Sequence, residues 1–113
     1  MKRVRKIYSC PGFAPIDSDD PRLYGGGMTG AAMMFGERAA KREFGPLGKC
    51  VDVEAGAYRL GTTYWTAIIG VRGGCDLLEC TTIELPIRIG RARGDREYYE
   101  VPPAKGRANP CRQ

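Results

Sequence analysis

The sequence predicts an α+β fold, with a mainly antiparallel sheet of about four to five strands and one helix packed on a face. Segments after residue 49 alternate apolar and polar residues and are separated by short turns, as in β-hairpins. Only residues 29–43 show the three- and four-residue spacing of an amphipathic helix. The 113 residues include 16 glycines and 8 prolines, so turns are frequent and further long helices are not expected.

Residues 3–9 predict the first strand, and residues 10–27 predict a long loop. Cationic residues occur on both faces of the first segment, which favours an edge strand. The loop contains three prolines, an aspartate cluster and a triple glycine, so we expect no stable element in it. Long loops in small domains tend to be functional or to be ordered by a partner.

The helix is predicted over residues 29–43, with Thr29 as its N-cap and Gly45-Pro46 at its end. Glu37 and Lys41 form an i, i+4 ion pair in the favourable order. The predicted sheet-facing surface comprises the apolar stripe Met28, Ala32, Phe35 and Ala39 and the small residue Gly36, which allows close approach to the sheet.

Residues 49–55 predict the second strand, which has one apolar and one charged side. The apolar side comprises Val51, Val53 and Ala55, the charged side comprises Asp52 and Glu54, and Gly56 predicts a bulge. Residues 62–72 predict the strongest strand, placed centrally because both of its faces carry apolar side chains. Trp65 is expected under the helix.

The remaining chain predicts a hairpin and one further strand. Residues 72–76 form the expected turn, and residues 77–89 form the returning strand. Pro86 has no amide hydrogen to donate, so part of this strand is expected to be an edge or to break there. Residues 90–96 predict a basic turn, and residues 97–101 predict a short last strand.

The domain organisation predicted from these elements is one α+β domain over residues 1–101, followed by a tail over residues 102–113. The tail begins with two prolines and has no apolar periodicity. No apolar run reaches the length of a transmembrane helix. The basic N-terminus is followed by proline and aspartate rather than an apolar run, so no signal peptide is expected.

The net charge of +5 resides at the two ends of the chain. Residues 1–16 carry four basic residues and no acid, residues 102–113 carry three and no acid, and the intervening body is therefore net −2. Basic terminal arms can contact phosphate backbones or acidic protein surfaces.

Histidine is absent, which excludes Cys-His and Ser-His catalysis and histidine metal ligands. The five cysteines are an odd number, which argues against a disulfide framework and favours a reducing compartment. Cys75 and Cys80 form the only close pair, and a zinc site would need two distant cysteines as well. Buried or incidental thiols are the favoured interpretation, and we expect no metal or cofactor.

Other chemical motifs have simpler structural explanations. Asp52 and Glu54 resemble a metal-binding carboxylate pair, but no third acid fits the spacing of a nuclease site. The acidic segment 17–20 lacks the glycine and closing glutamate of a calcium loop and predicts an Asx-type turn. Glycines 25–27 lack the spacing of a nucleotide-binding loop. The Arg-Gly-Asp tripeptide at 93–95 predicts a turn.

The sequence favours a non-enzymatic structural or assembly subunit that binds protein neighbours through its long loop and terminal arms. A phage or virion-type particle is one such assembly, and the protein is expected in the cytoplasm or in a virion. The alternatives are a small inhibitor protein that docks on a host complex and a nucleic-acid-binding accessory protein that uses the basic termini. Expected partners are other subunits in a homo- or hetero-oligomer, with nucleic acid as the alternative and no membrane.

Arginine, lysine and tyrosine are the candidate partner-binding residues, because cations contact acidic surfaces and arginine and tyrosine are enriched at interfaces. The set comprises Lys2, Arg3, Arg5, Lys6, Arg91, Arg93, Arg96, Tyr98, Tyr99, Lys105, Arg107 and Arg112.

Overall fold

The computed structural model describes residues 4–23, 27–73, 76–93 and 97–100, with side chains over 6–23, 27–71 and 79–91. The strands are β1 (Val4–Ser9), β2 (Ile16–Asp17), β3 (Gly48–Arg59), β4 (Thr62–Gly73), β5 (Asp76–Arg93) and β6 (Glu97–Glu100). A short 3-10 helix (Pro21–Leu23) precedes the helix α1 (Gly27–Phe44). One antiparallel sheet has the strand order β2-β1-β5-β4-β3, and β6 also pairs with β5. The predicted α+β class is confirmed.

The long strand β5 organises the sheet. Arg88 pairs with Ser9 of β1 on one side and with Thr62 of β4 on the other. Beyond Arg88, β1 remains paired with residues 89–93 of β5, whereas the pairing with β4 ends at Arg88. Strand β6 therefore pairs with residues 90–93 on the side where β4 ends. The predicted basic turn over 90–96 is therefore wrong at residues 90–93, because neighbours on both edges keep them extended.

The hydrophobic core lies between α1 and one face of the sheet. Phe35 is fully buried, and it shares a cluster with Trp65 and Ala32, as predicted. Across the strands, Trp65 pairs with Leu85 and Tyr8 pairs with Ile89, so these residues project onto the same face. The central position predicted for residues 62–72 is also confirmed, since β4 lies between β3 and β5.

The helix lies close to the sheet because Gly36 has no side chain. A Cβ atom at Gly36 would collide with the side chain of Cys50 on β3. The predicted N-cap is wrong, because the helix begins at Gly27 and Thr29 lies inside it. The predicted end is confirmed, since the helix stops at Phe44 and Gly45 has a φ of +88°.

Strand β3 differs from its predicted alternation at its start. A register shift separates Cys50 from Asp52, and it leaves Cys50 buried while Val51 is 39% exposed. The predicted alternation is therefore wrong at Val51, because the irregularity breaks the two-residue period. Ala55 is also exposed. A second shift between Ala55 and Tyr58 spans the bulge predicted at Gly56.

The predicted loop 10–27 contains ordered elements. Ile16 is almost fully buried in β2, which pairs with Ile7 and Tyr8 of β1. Ser18 reinforces this pairing, because its N–H donates to the carbonyl of Lys6 over 2.8 Å and its hydroxyl accepts from the Lys6 N–H over 3.1 Å. The loop therefore does contain stable elements, and β1 is not an edge strand at Ile7 and Tyr8, contrary to both expectations.

The β4–β5 pairing confirms the predicted hairpin, since Gly73 pairs with Asp76. Its turn residues 74–75 lie outside the described residues, as does the predicted tail 102–113. Within the described part, no helix combines the length and apolar character needed to cross a membrane.

Candidate interaction surfaces

The described part of the predicted partner-binding set converges on one end of the sheet, formed by β1, β6 and residues 90–93 of β5. We call this the basic end. Its four rows of paired residues are Val4, Arg93 and Glu97; Arg5, Ala92 and Tyr98; Lys6, Arg91 and Tyr99; and Ile7, Gly90 and Glu100. Residues from three distant parts of the sequence thus become neighbours.

The other predicted partner-binding residues lie outside the described residues. They are Lys2, Arg3, Arg96, Lys105, Arg107 and Arg112.

Two cations face each other at the basic end. Lys6 on β1 and Arg91 on β5 are directly opposite in the antiparallel register, and both are exposed. Like charges at such positions repel each other. Neither side chain forms an ion pair with another residue whose side chain the structure describes. The arrangement stabilises nothing within the described fold and is suited to an anionic partner.

The loop after β1 is held by the chain's own helix. Arg42 donates from Nη2 to the carbonyl of Gly12 over 2.7 Å, and its guanidinium lies 4.1 Å from the ring centroid of Phe13. One turn earlier, Arg38 donates from Nη1 to the carbonyl of Ala14 over 2.7 Å. This segment is ordered without a partner, contrary to one expectation for such loops. In the sequence, the i, i+4 spacing of Arg38 and Arg42 is the feature that places both side chains on one helix face, from which they reach this loop.

The acidic segment 17–20 forms turns through its own side chains, as predicted. Asp17 accepts from the N–H of Asp19 over 2.8 Å. Asp20 accepts from the backbone and the guanidinium of Arg22, the shortest distance being 2.7 Å. These hydrogen bonds lower the pKa of Asp20 to about 2. Across the described residues, no group of three or more cysteine or acidic side chains is arranged to hold a metal ion.

A groove of about 410 Å³ lies between the 3-10 helix and α1. Its lining includes the apolar side chains of Leu23, Met33 and Met34. Methionine side chains adapt readily to irregular partners. Sequence reasoning missed this groove because the 3-10 helix that forms one wall was expected to be unstructured.

The two buried cysteines are not activated. Cys10 and Cys50 are buried, and Cys80 is exposed. Burial raises the pKa of both Cys10 and Cys50 to about 11. A high pKa disfavours the thiolate, which is the form that attacks electrophiles and binds metals. Cys75 and Cys111 lie outside the described residues.

No family model, curated protein or solved structure shows a significant match to this chain. The function must therefore be inferred from the charge, exposure and strand pairing of the residues themselves.

Proposed function

We propose that this protein is a non-enzymatic assembly subunit whose basic end binds an acidic surface on a neighbouring subunit. The observation that carries the proposal is the exposed Lys6–Arg91 pair. Two cations held side by side repel each other in the free protein, and an acidic surface against them removes that repulsion. The arrangement favours association over the isolated chain.

A second copy of the chain can supply the acidic surface. The body between the two basic ends of the sequence is net −2, and its exposed acids include Asp19, Asp52 and Glu54. Contact between different surfaces of identical chains is heterologous and generates rings or filaments. A phage or virion-type particle is one assembly of that kind, supported here only by composition.

Nucleic acid is the second candidate partner. The register that places Tyr99 beside Arg91 and Lys6 supports it, because cations bind phosphates and tyrosines stack on bases. Two observations favour protein instead. The basic end also contains the acids Glu97 and Glu100, and the body of the chain is net acidic. A surface of mixed charge fits a protein partner, which carries both signs, better than a uniformly anionic phosphate backbone.

The decisive measurement is the mass in solution at micromolar concentration. We expect a multiple of 12.4 kDa for the full chain and a shift towards the monomer for Lys6→Glu and Arg91→Glu. Arg59→Glu is the matched control, since Arg59 is exposed on the distant strand β3. Deleting residues 102–113 tests the contribution of the second arm, and we expect it to weaken assembly with little change in Tm.

Titration of labelled DNA and RNA at two salt concentrations separates the two candidates. We expect weak binding that is lost at physiological salt, as for non-specific contacts to phosphate. A monomer that binds nucleic acid below micromolar concentration at physiological salt would favour the nucleic-acid interpretation. A chain that stays monomeric and does not bind nucleic acid would contradict self-assembly through the basic end.

A further inference from the structure

Strand β5 has an edge that no other described strand occupies. β4 pairs with β5 from Asp76 to Arg88, but on the opposite edge β1 pairs only from Arg88 onward. The segment from Glu79 to Ile87 is therefore paired on one side only among the described residues. We call it the open edge. Unpaired N–H and C=O groups on such an edge are a template for an added strand.

A turn prevents β1 from covering the open edge. Cys10, Pro11, Gly12 and Phe13 form a tight turn, in which the N–H of Phe13 donates to the carbonyl of Cys10 over 3.1 Å. Proline followed by a glycine with a φ of +88° is typical of a type II turn. Arg42 fixes the turn to α1 through the Gly12 carbonyl and the Phe13 ring. The gap beside β5 is thus built into the fold.

A groove of about 230 Å³ adjoins the open edge. The turn contributes Cys10, Pro11 and Phe13 to one wall, and β5 contributes residues 83–86 to the other. An added strand projects alternate side chains to the two faces of a sheet. A segment paired with β5 can therefore place one side chain in this groove while its backbone binds the edge.

The other long edge of the sheet, on β3, is protected. Its ladder has two register shifts, and bulged edges are poor templates for pairing. Two of its amides already have side-chain acceptors. The N–H of Cys50 donates to Oε1 of Glu37 over 3.0 Å, and the N–H of Val53 donates to Oδ1 of Asp52 over 2.9 Å. Along Glu79–Ile87 the described residues show no such side-chain acceptor and no register shift, and Pro86 is the one residue of this segment without an amide hydrogen to donate.

The charge of the surroundings selects the occupant. Glu79 and Glu84 lie on the open edge, Glu43 lines the adjoining groove, and all three are exposed. The cation in the groove, Arg42, already binds the turn. A second copy paired antiparallel along this edge would bring its own Glu79 and Glu84 alongside the first pair, which is unfavourable.

We propose that the open edge binds an extended, basic segment of a partner protein, which adds to the sheet as a further strand beside β5. This surface shares no residue with the basic end. The inference therefore goes beyond the proposed function, and the two can succeed or fail separately.

The test uses the full chain and three six-residue peptides, with amide signals followed by NMR and hydrogen exchange. The first peptide alternates lysine and valine, the second alternates glutamate and valine, and the third is the lysine peptide with alternate backbone amides methylated. We expect the lysine peptide to slow exchange within Glu79–Ile87 and to shift signals in Cys10–Phe13. The glutamate peptide should bind at least fivefold more weakly, and the methylated peptide should give no protection.

Variants of the protein localise the effect. Glu84→Lys should weaken the lysine peptide about three- to fivefold, as expected for loss of an exposed charge contact. Glu54→Lys, an exposed substitution on β3, is the matched control and should leave binding unchanged. Lys6→Glu should also leave it unchanged, which separates this site from the basic end.

Three outcomes would overturn the proposal. Protection along β3 instead of β5 would place the added strand at the wrong edge. Equal binding of the methylated peptide would show attraction of charge without strand addition. Protection of Glu79–Ile87 that rises with protein concentration in the absence of peptide would show that a second copy is the occupant.

Discussion

The carboxylate of Glu37 on α1 accepts a hydrogen bond from the backbone N–H of Cys50 on β3, over 3.0 Å. The same carboxylate lies 3.3 Å from Nζ of Lys41 and 3.8 Å from Nζ of Lys49. Lys41 in turn donates to the carbonyl of Gly48 over 3.2 Å. These contacts join the helix to the start of β3 beside the short turn that connects them.

Two replacements of Glu37 should distinguish the stability that comes from its hydrogen bond from the stability that comes from its charge. Glu37→Ala should lower the free energy of unfolding by about 1–2 kcal/mol, because the amide of Cys50 loses its acceptor. Glu37→Gln keeps an acceptor and loses only exposed ion pairs, so it should cost less than about 1 kcal/mol. Urea unfolding monitored by the fluorescence of Trp65 measures both. Equal losses in the two variants would show that charge, rather than the hydrogen bond, stabilises this junction.

Removing Arg42 should loosen the turn at residues 10–13. Arg42→Ala loses the hydrogen bond to Gly12 and the contact with the Phe13 ring, so we expect a cost of about 1–2 kcal/mol. Amide exchange at Phe13 should accelerate in the variant. Arg22→Ala, which removes an exposed arginine paired with Asp20, is the control and should leave that exchange rate unchanged. An unchanged rate of amide exchange at Phe13 in Arg42→Ala would mean that the turn is stable without Arg42.

Adding a methyl group at Gly36 should destabilise the helix–sheet contact. Gly36→Ala places a Cβ against the side chain of Cys50, and overpacking of this kind costs about 1–3 kcal/mol. Cys50→Ala should relieve part of that cost, so the double variant should be more stable than the sum of the single effects predicts. Thr29→Ala, at an exposed helical position, controls for helix propensity. Additive losses would indicate that the helix shifts away from the sheet instead.

Truncating the single tryptophan should remove a central part of the core. Trp65 is 5% exposed, and Trp65→Ala should cost about 3–5 kcal/mol. Its Nε1 has no hydrogen-bond partner among the described residues. Trp65→Phe therefore loses no such bond and leaves a smaller cavity, so it should cost less than Trp65→Ala. The wild-type emission maximum should be blue-shifted, and emission at the wavelength of a solvent-exposed indole would contradict this burial.

Alkaline pH should reduce stability through the buried thiols. The pKa of Cys10 and Cys50 rises from 9.0 to about 11 in the folded chain. Between these values the unfolded chain loses protons that the folded chain retains, so stability is full below pH 9 and falls towards pH 11. Urea unfolding at pH 7, 9 and 10.5 should show this fall, and the Cys10→Ala/Cys50→Ala variant should show a smaller one.

In native protein at pH 8, iodoacetamide should modify Cys80 well before either buried thiol.

Local signals in the sequence determined most elements of the fold. Period-two alternation identified β1 and β4, and three- and four-residue spacing identified the helix and its buried stripe. Gly45 marked the end of the helix because glycine, which has no Cβ, adopts a positive φ without steric cost. The small size of Gly36 likewise indicated a close approach to the sheet. Each of these properties depends on neighbours along the chain.

The tertiary structure decided what depends on partners far apart in sequence. Val51 became exposed because a register shift in the β3–β4 ladder broke the alternation. Residues 90–93 became strand because β1 and β6 flank them, although their own sequence resembles a turn. The long loop became ordered because Arg38 and Arg42 reach it from the helix.

The candidate surfaces divide in the same way. The sequence alone determined that the net positive charge lies at the chain ends and that Pro86 belongs to a partly unpaired strand. Only the strand register placed Lys6 opposite Arg91, and only the turn after β1 left Glu79–Ile87 open on one side. Charge is a property of each residue, whereas juxtaposition and an open edge depend on which strands pair and where each of them ends.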